Sequence, residues 1–280
     1  MPLVGDIRRL ALSEIMNKTA LITGASSGIG AEFAIQLAEK GYNLILIARR
    51  EDRLLHLAGT LQDKYGIIST PLSVDLSLME NIEKIIEVII ANPNIELLIN
   101  NAGFGTFGRF SHVEPGKELS MLHVHMVAPV MFCRAILPEM ISRNNGAIIN
   151  VSSLAGILPI RNVLYGSSKS FLVSFSLSLQ DELRDSLIHV QVLCPGFVLT
   201  EFHDTNEYTK FSRSSIPNFL WMTPEEVVRE SLQSLNEQKV ICIPGTLYSF
   251  VGVLARNSIT IGLIKSVARL VLRRRKYKLI

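Results

Sequence analysis

Short, nearly uninterrupted apolar runs alternate along the chain with longer segments of helical spacing. TALIT (19–23), NLILIA (43–48), IISTPLSV (67–74), IELLIN (95–100), AIINV (147–151), HVQVLC (189–194) and VICI (240–243) read as strands. They lack a polar alternate position, which predicts burial on both faces. Between them, residues 28–40, 51–64, 77–91, 115–143, 164–185 and 224–237 place apolar side chains at helical intervals, as in Ile29, Phe33 and Leu37 or Ile82, Ile85, Ile86 and Ile89. Pro71 weakens the third strand. Pro129, inside the long helix, removes a backbone hydrogen bond and predicts a kink. Thr223 stands where it can cap the last helix. Strands and helices in regular alternation predict an α/β protein with a doubly wound, seven-stranded parallel sheet.

No internal repeat or low-complexity linker divides this pattern. The expected organisation is an N-terminal extension (1–17), one domain (18–245) that includes an irregular segment at 201–222, and a tail (246–280). With 280 residues, 48% of them hydrophobic, the chain can bury one sizeable core. The three cysteines, Cys133, Cys194 and Cys242, are widely spaced. That argues against a disulfide framework and a zinc site, and it favours a reducing, cytoplasmic compartment. The first 18 residues carry charges throughout, and no uncharged apolar run reaches the length of a membrane span.

Charge is unevenly placed. After Glu237 there are nine basic residues and no acidic one, which leaves 19 basic against 25 acidic residues in the rest. Drawn as a helix, 259–276 lines up Lys265, Arg269, Arg273 and Lys276, with Ile261, Ile264, Val267, Val271 and Leu272 around the rest. A basic stripe on a broad apolar helix suggests an anionic membrane surface reached through 259–280, not nucleic acid. The alternative is an extra helix packed on the body or on a second subunit.

Two motifs carry chemistry. TGASSGIG (23–30) follows the first strand and opens the first helix. Gly24 permits a tight turn, Gly28 lets backbone approach a pyrophosphate, and Gly30 allows helix to pack on strand. At the end of the second strand, where an acidic residue would bind the ribose hydroxyl of NAD, Arg49 and Arg50 stand instead. Guanidinium groups suit a 2′-phosphate, so the expected cofactor is NADP(H). YGSSK then places Tyr165 and Lys169 on one face of a helix. A phenol ordinarily keeps its proton to about pH 10, and drawing it toward neutrality costs about 4 kcal/mol. A neighbouring ammonium supplies part of that. The strand that ends in SSLAG offers a serine hydroxyl to polarise a carbonyl.

TGASSGIG, NNAG (100–103), SSLAG followed by YGSSK, and PGFVLT (195–200), in that order, resemble the short-chain dehydrogenases/reductases over about residues 18–245. The resemblance implies a single Rossmann-type domain with strand order 3-2-1-4-5-6-7 and hydride transfer between a nicotinamide and a carbonyl or secondary alcohol. It implies Tyr165 as general acid/base, Lys169 as the group that holds the nicotinamide ribose, and Ser153 as the catalytic serine. Ser153 lies one residue closer to Tyr165 than the family spacing, which Ser152 would satisfy. It further implies cofactor contacts from Gly24, Ser26, Ser27, Gly28, Ile29, Gly30, Arg49, Arg50, Asp75, Leu76, Asn101, Ala102, Gly103, Tyr165, Lys169, Pro195, Gly196, Val198 and Thr200. A homo-oligomer is the family's usual state. The rival reading is an NADP-binding, membrane-associated scaffold with impaired catalysis.

LHVHMVAP (122–129) holds two of the six histidines. On a helix, residues two apart point in nearly opposite directions and cannot chelate one ion, so no metal is expected. His125 falls where the resemblance places an asparagine that holds a water beside the lysine. Two readings stand: a proton relay through His125, or a satisfied buried imidazole. His123 reads as structural. The segment 201–222 is aromatic, with Phe202, Tyr208, Phe211, Phe219 and Trp221, which suits a lipophilic carbonyl or alcohol.

Overall fold

A computed structural model describes residues 18–106, 108–158, 162–204 and 213–255. The readings for 1–17, for Tyr208 and Phe211, and for the basic tail at 259–280 lie outside the described residues. Strands β1 (Thr19–Thr23), β2 (Asn43–Ala48), β3 (Ser69–Ser73), β4 (Ile95–Asn100), β5 (Gly146–Val151) and β6 (Ile188–Leu193) lie in one parallel sheet. A two-residue parallel pair, β7 (Phe197–Val198) with β8 (Trp221–Met222), stands apart from it. The last sheet strand is β9 (Ile241–Cys242), and the order is β3-β2-β1-β4-β5-β6-β9. That is the expected seven-strand order, with β9 in seventh place.

Alternation along each strand feeds two separate cores. Ala20, Ile22, Leu44, Leu46 and Leu97 face Phe33, Leu37, Leu54, Leu61 and Val228 on one side. Leu21, Ile45, Ile47 and Leu98 face Ile82, Ile85, Ile89, Phe132 and Met140 on the other. The helices are α1 (Gly28–Glu39), α2 (Glu51–Tyr65), α3 (Met79–Ala91), α4 (Pro115–Leu122), α5 (Ala128–Ser142), α6 (Val163–Glu182), α7 (Pro224–Asn236) and α8 (Thr246–Ala255). Each fully buried aliphatic side chain contributes about 1.5–3 kcal/mol, so the helices on both faces stabilise the sheet.

Local chemistry explains several boundaries. Pro71 is tolerated because β3 is the sheet's edge, where its neighbour β2 lies on one side only. Gly66, with φ of 69°, closes α2, and its N–H bonds the Gln62 carbonyl. Thr223 and Glu226 form a reciprocal capping box that starts α7. Between α4 and α5 the chain makes a π-helical turn over His123–Val127, with the Ala128 N–H bonded to the His123 carbonyl. The cause is Pro129, which cannot donate to the carbonyl of residue 125 and crowds it. The kink expected at Pro129 is therefore a widened turn just before it. Among the described residues, Pro115–Ser142 is one stretch long and apolar enough to cross a membrane. The sequence reading had no such segment, because it sought an uninterrupted apolar run. Phe132, Cys133 and Met140 of this stretch are buried in the sheet's second core, which accounts for its apolarity.

Candidate active site

The strand order reverses between β1 and β4, and a crevice opens there at the carboxyl ends of the strands. A net around Thr23 fixes its walls. The Thr23 Oγ1 accepts from the N–H groups of Asn101 and Ala102, both at 2.9 Å, and donates to the Ile99 carbonyl. Asn101 Nδ2 donates to the Thr23 carbonyl at 2.9 Å. The glycine loop is therefore tied to the NNAG loop. A Cβ on Gly30 would come within 2.3 Å of the Gly24 carbonyl oxygen, so only glycine lets α1 start so close to β1. Ser27 makes no side-chain cap, and the first turn of α1 holds no acidic residue. Its N–H groups are thus aimed at the crevice without a competing anion, as a pyrophosphate requires. These residues fit a dinucleotide. Asp75 sits in a tight local turn, its carboxylate accepting the Ser77 N–H, and Leu76 behind it is buried.

Asn162 caps α6 by accepting the Tyr165 N–H, and its own amide donates to the Thr106 carbonyl. Tyr165 therefore stands in the first turn of α6, against the loop after β4. Burial pushes the Tyr165 phenol up to about 12, with a hydrogen bond from the Ser153 side chain working in the opposite direction. Ser153, which caps the turn Leu154–Gly156, is thus the serine beside the phenol. Ser152 is buried and donates instead to the Lys169 carbonyl at 2.7 Å. The shorter serine-to-tyrosine spacing leaves Ser153, not Ser152, facing Tyr165.

Lys169 is 4% exposed, and Nζ donates to the Val151 carbonyl at 2.8 Å. Burial pulls its ammonium down to about 8. Nζ lies 5.9 Å from the centre of the Tyr165 ring. The tyrosine was expected to be made more acidic by this lysine. Desolvation instead raises the phenol, which holds its proton.

His125 lies in the π-helical turn at 1% exposure. The Phe104 N–H donates to Nε2 at 3.1 Å, which leaves the proton on Nδ1. Nδ1–H donates to the Ser168 hydroxyl at 2.9 Å, and that hydroxyl donates to the Tyr165 carbonyl at 2.9 Å. Both ring nitrogens are engaged, so neither is left to hold a water for Lys169. Burial first, and then the Lys169 charge, hold the imidazole well below its ordinary value, so the ring is neutral. A Cβ on Gly103 would meet His125 Nε2 at 3.0 Å and Lys169 Nζ at 3.5 Å, so this glycine makes room for both. His123 points elsewhere, its Nδ1 2.7 Å from the Ser77 carbonyl.

A family model for short chain dehydrogenases matches residues 18–210. The chain belongs to the short-chain dehydrogenase family. It is 33% identical over 247 residues to an NADP-dependent 3-hydroxy acid dehydrogenase of Schizosaccharomyces pombe, covering 84% of this chain and 93% of that one. It is 31% identical to the very-long-chain 3-oxoacyl-CoA reductase of Anas platyrhynchos over 87% of this chain and 77% of that one. Among solved structures, a short-chain dehydrogenase of Sphingobium yanoikuyae in complex with NADPH superposes with a TM-score of 0.77 at 28% identity, over 94% of this chain and 98% of the other. The family binds a nicotinamide cofactor, and its members are NAD(P)-dependent oxidoreductases that act on CH–OH groups.

Thr200 lies over the glycine loop, and a Cβ on Gly28 would meet its methyl at 2.9 Å. Pro195 and Val198 are buried, and Gly196 packs under the Tyr248 ring. Ile29 packs on the first core, and Arg49 is exposed at the end of β2. Arg50 folds back over the loop, donating to Ser26 Oγ at 3.1 Å and Ser27 Oγ at 2.7 Å. Sequence reasoning missed Phe104 and Ser168, whose contacts with His125 lie far along the chain, and Asn162, whose cap on Tyr165 is local but whose bond to Thr106 is not. It also missed Tyr248, whose hydroxyl accepts the Phe197 N–H and donates to the Leu220 carbonyl, joining α8 to the β7–β8 pair. Phe202 stacks obliquely on Tyr165, with ring centres 5.8 Å apart.

Proposed function

We propose that this protein is an NADP(H)-dependent reductase of a lipophilic carbonyl, or equally a dehydrogenase of the matching secondary alcohol. The observation that carries this reading is the convergence of Ser153, Tyr165 and Lys169 beside the switch-point crevice. When bound, the nicotinamide supplies or accepts the hydride. The Ser153 hydroxyl orients the substrate oxygen. Tyr165, which holds its proton at neutral pH in this setting, gives that proton to the oxygen during reduction. Lys169 anchors the cofactor ribose and supplies positive charge beside the phenol. His125 acts as a strut that positions Phe104 and the first turn of α6 through Ser168.

Arg49 and Arg50 favour NADP(H) over NAD(H), and the NADP-dependent relative and the NADPH-bound neighbour agree with that choice. Phe202, Phe219 and Trp221, with the very-long-chain 3-oxoacyl-CoA reductase among the relatives, favour an apolar acyl or ring-containing substrate. The basic residues of 259–280 suit a peripheral place on the cytoplasmic side of an anionic membrane, and the family habit favours a homo-oligomer. The hydrogen bond between Ser153 and Tyr165 favours an active enzyme over a scaffold.

The test is loss of NADPH absorbance against a panel of 3-oxoacyl, steroid and aromatic ketones. Tyr165→Phe is expected to lower kcat by a factor of about 10²–10⁴ with NADPH binding retained. A variant as active as the native enzyme would remove Tyr165 from the chemistry.

A further inference from the structure

Arg49 and Arg50 are expected to face a phosphate; Arg49 is exposed, and Arg50 instead shares a carboxylate with Arg53. Glu201 Oε2 accepts from Arg50 at 2.7 Å, and Glu201 Oε1 accepts from Arg53 at 2.6 Å. Each carboxylate oxygen thus takes one guanidinium, 151 and 148 residues away in sequence. The same Arg50 is held by the hydroxyls of Ser26 and Ser27 in the glycine loop. The cluster therefore has two guanidinium groups on one anion, with two hydroxyl groups of the glycine loop accepting from Arg50 behind it. That donor set would suit a phosphate at least as well as a carboxylate.

The position of Glu201 is set by the active site's own backbone. Thr200 lies against Gly28, and its hydroxyl accepts the Phe202 N–H to start the turn Glu201–His203. Arg213 holds the Thr200 carbonyl and the Asp204 carboxylate, both at 2.6 Å, which fixes the far side of this turn. Glu201 is thereby aimed across the groove at the end of β2. All three charged side chains are between 40% and 48% exposed, so the pair is accessible to a competing anion. A cavity of about 410 Å³ lined in part by Ser26, Arg53 and His56 adjoins it and gives an incoming group room.

We infer that the Glu201 carboxylate occupies the place of the cofactor's 2′-phosphate and is exchanged for it on binding. This rests on the NADP(H) reading above and adds a residue that sets how strongly the phosphate is preferred. The phosphate carries more charge than the carboxylate and offers three oxygens to the same donors, so it displaces Glu201. Glu201, once displaced, stays close by and repels it. A ligand without the 2′-phosphate meets no such competition, and its free ribose hydroxyl can donate to the carboxylate that remains.

Calorimetry with the full chain tests this with adenosine 2′,5′-bisphosphate and adenosine 5′-monophosphate, which differ only in the 2′-phosphate. In Glu201→Gln, the bisphosphate is expected to bind about fivefold more tightly and the monophosphate to stay within about twofold. The gain should vanish when Arg50→Met and Arg53→Met are also present. Equal tightening of both ligands, or no tightening of the bisphosphate, overturns the exchange. If the native chain prefers the bisphosphate and Glu201→Gln changes nothing, the exchange alone is wrong. If neither protein prefers it, the NADP(H) reading falls as well. If only the variant prefers it, the exchange stands and the native enzyme is not NADP-selective.

Discussion

The groove has two cationic regions, and they are held in opposite ways. At the chemical end, Lys169 is buried, and among the described residues it has no carboxylate partner and the Val151 carbonyl as its acceptor. At the adenosine end, Arg50 and Arg53 are well exposed and share a carboxylate. A buried, unpaired ammonium strains the fold, and its proton is loosened, with the value pulled down to about 8. An exposed guanidinium pair costs little and contributes little to stability, since solvent already screens it. On the proposed function, the chemical end therefore trades stability for function, and the adenosine end selects a ligand at almost no cost to the fold.

The sharpest break of this comparison is Lys169→Met. We expect kcat to fall by a factor of about 10²–10⁴ while the apo protein becomes more stable. Removing the desolvation cost is worth on the order of 3 kcal/mol, less whatever the bond to Val151 supplied, so Tm rises by about 2–6 °C. The sign is checked by pH. Between about 8 and the ordinary 10.5, the folded protein binds fewer protons at Lys169 than the unfolded chain does. Native stability should therefore rise with pH through that window relative to Lys169→Met, the penalty being full below about 8. A variant that melts lower than the native protein at pH 7 would show that the charge stabilises the fold.

His125 tests the packing that supports the buried charge. In His125→Ala the Phe104 N–H loses its acceptor and the Ser168 hydroxyl loses its donor in a closed space. We expect a loss of about 1–3 kcal/mol in chemical unfolding, partly recovered in His125→Asn, whose amide can both accept and donate. Because the imidazole is neutral across the working range, the native kcat profile should show no limb near the ordinary histidine value, and the variants should keep its shape. An acidic limb in the native enzyme that disappears in both variants would restore the relay.

How much of this the sequence carried depends on the range of the forces involved. β1, β2 and β4 have the bounds their apolar runs imply, because polar residues or glycine follow directly: Gly24 after β1, Arg49 after β2 and Asn101 after β4. The glycine loop, Tyr165 and Lys169 were legible because each is fixed within one strand–helix unit. Ser153 is already the choice by motif, but the physical reason for it needs the fold, which turns one hydroxyl to Tyr165 and the other to the Lys169 carbonyl. The His125 partners lie 21 and 43 residues away, and Glu201 lies far along the chain from both arginines. The β7–β8 pair has two residues per strand, too few for any period to show.

The smallest effect discriminates the two regions by salt. Arg50→Met should change stability by no more than about 0.5 kcal/mol and reduce the preference for NADPH over NADH by about tenfold at low ionic strength. The side chain is 40% exposed, so its attraction for a phosphate is screened as ions crowd the groove. The native preference should shrink toward that of the variant as salt is raised from about 0.05 M to about 0.5 M, where the screening length falls well below 10 Å. The Lys169→Met gain in Tm should stay nearly constant over the same range, because mobile ions do not reach Nζ. If both effects fade together, the ammonium is wetter than its place in the fold implies. If neither fades, the selectivity comes from the shape of the loop around Ser26 and Ser27 and not from the charge of Arg50.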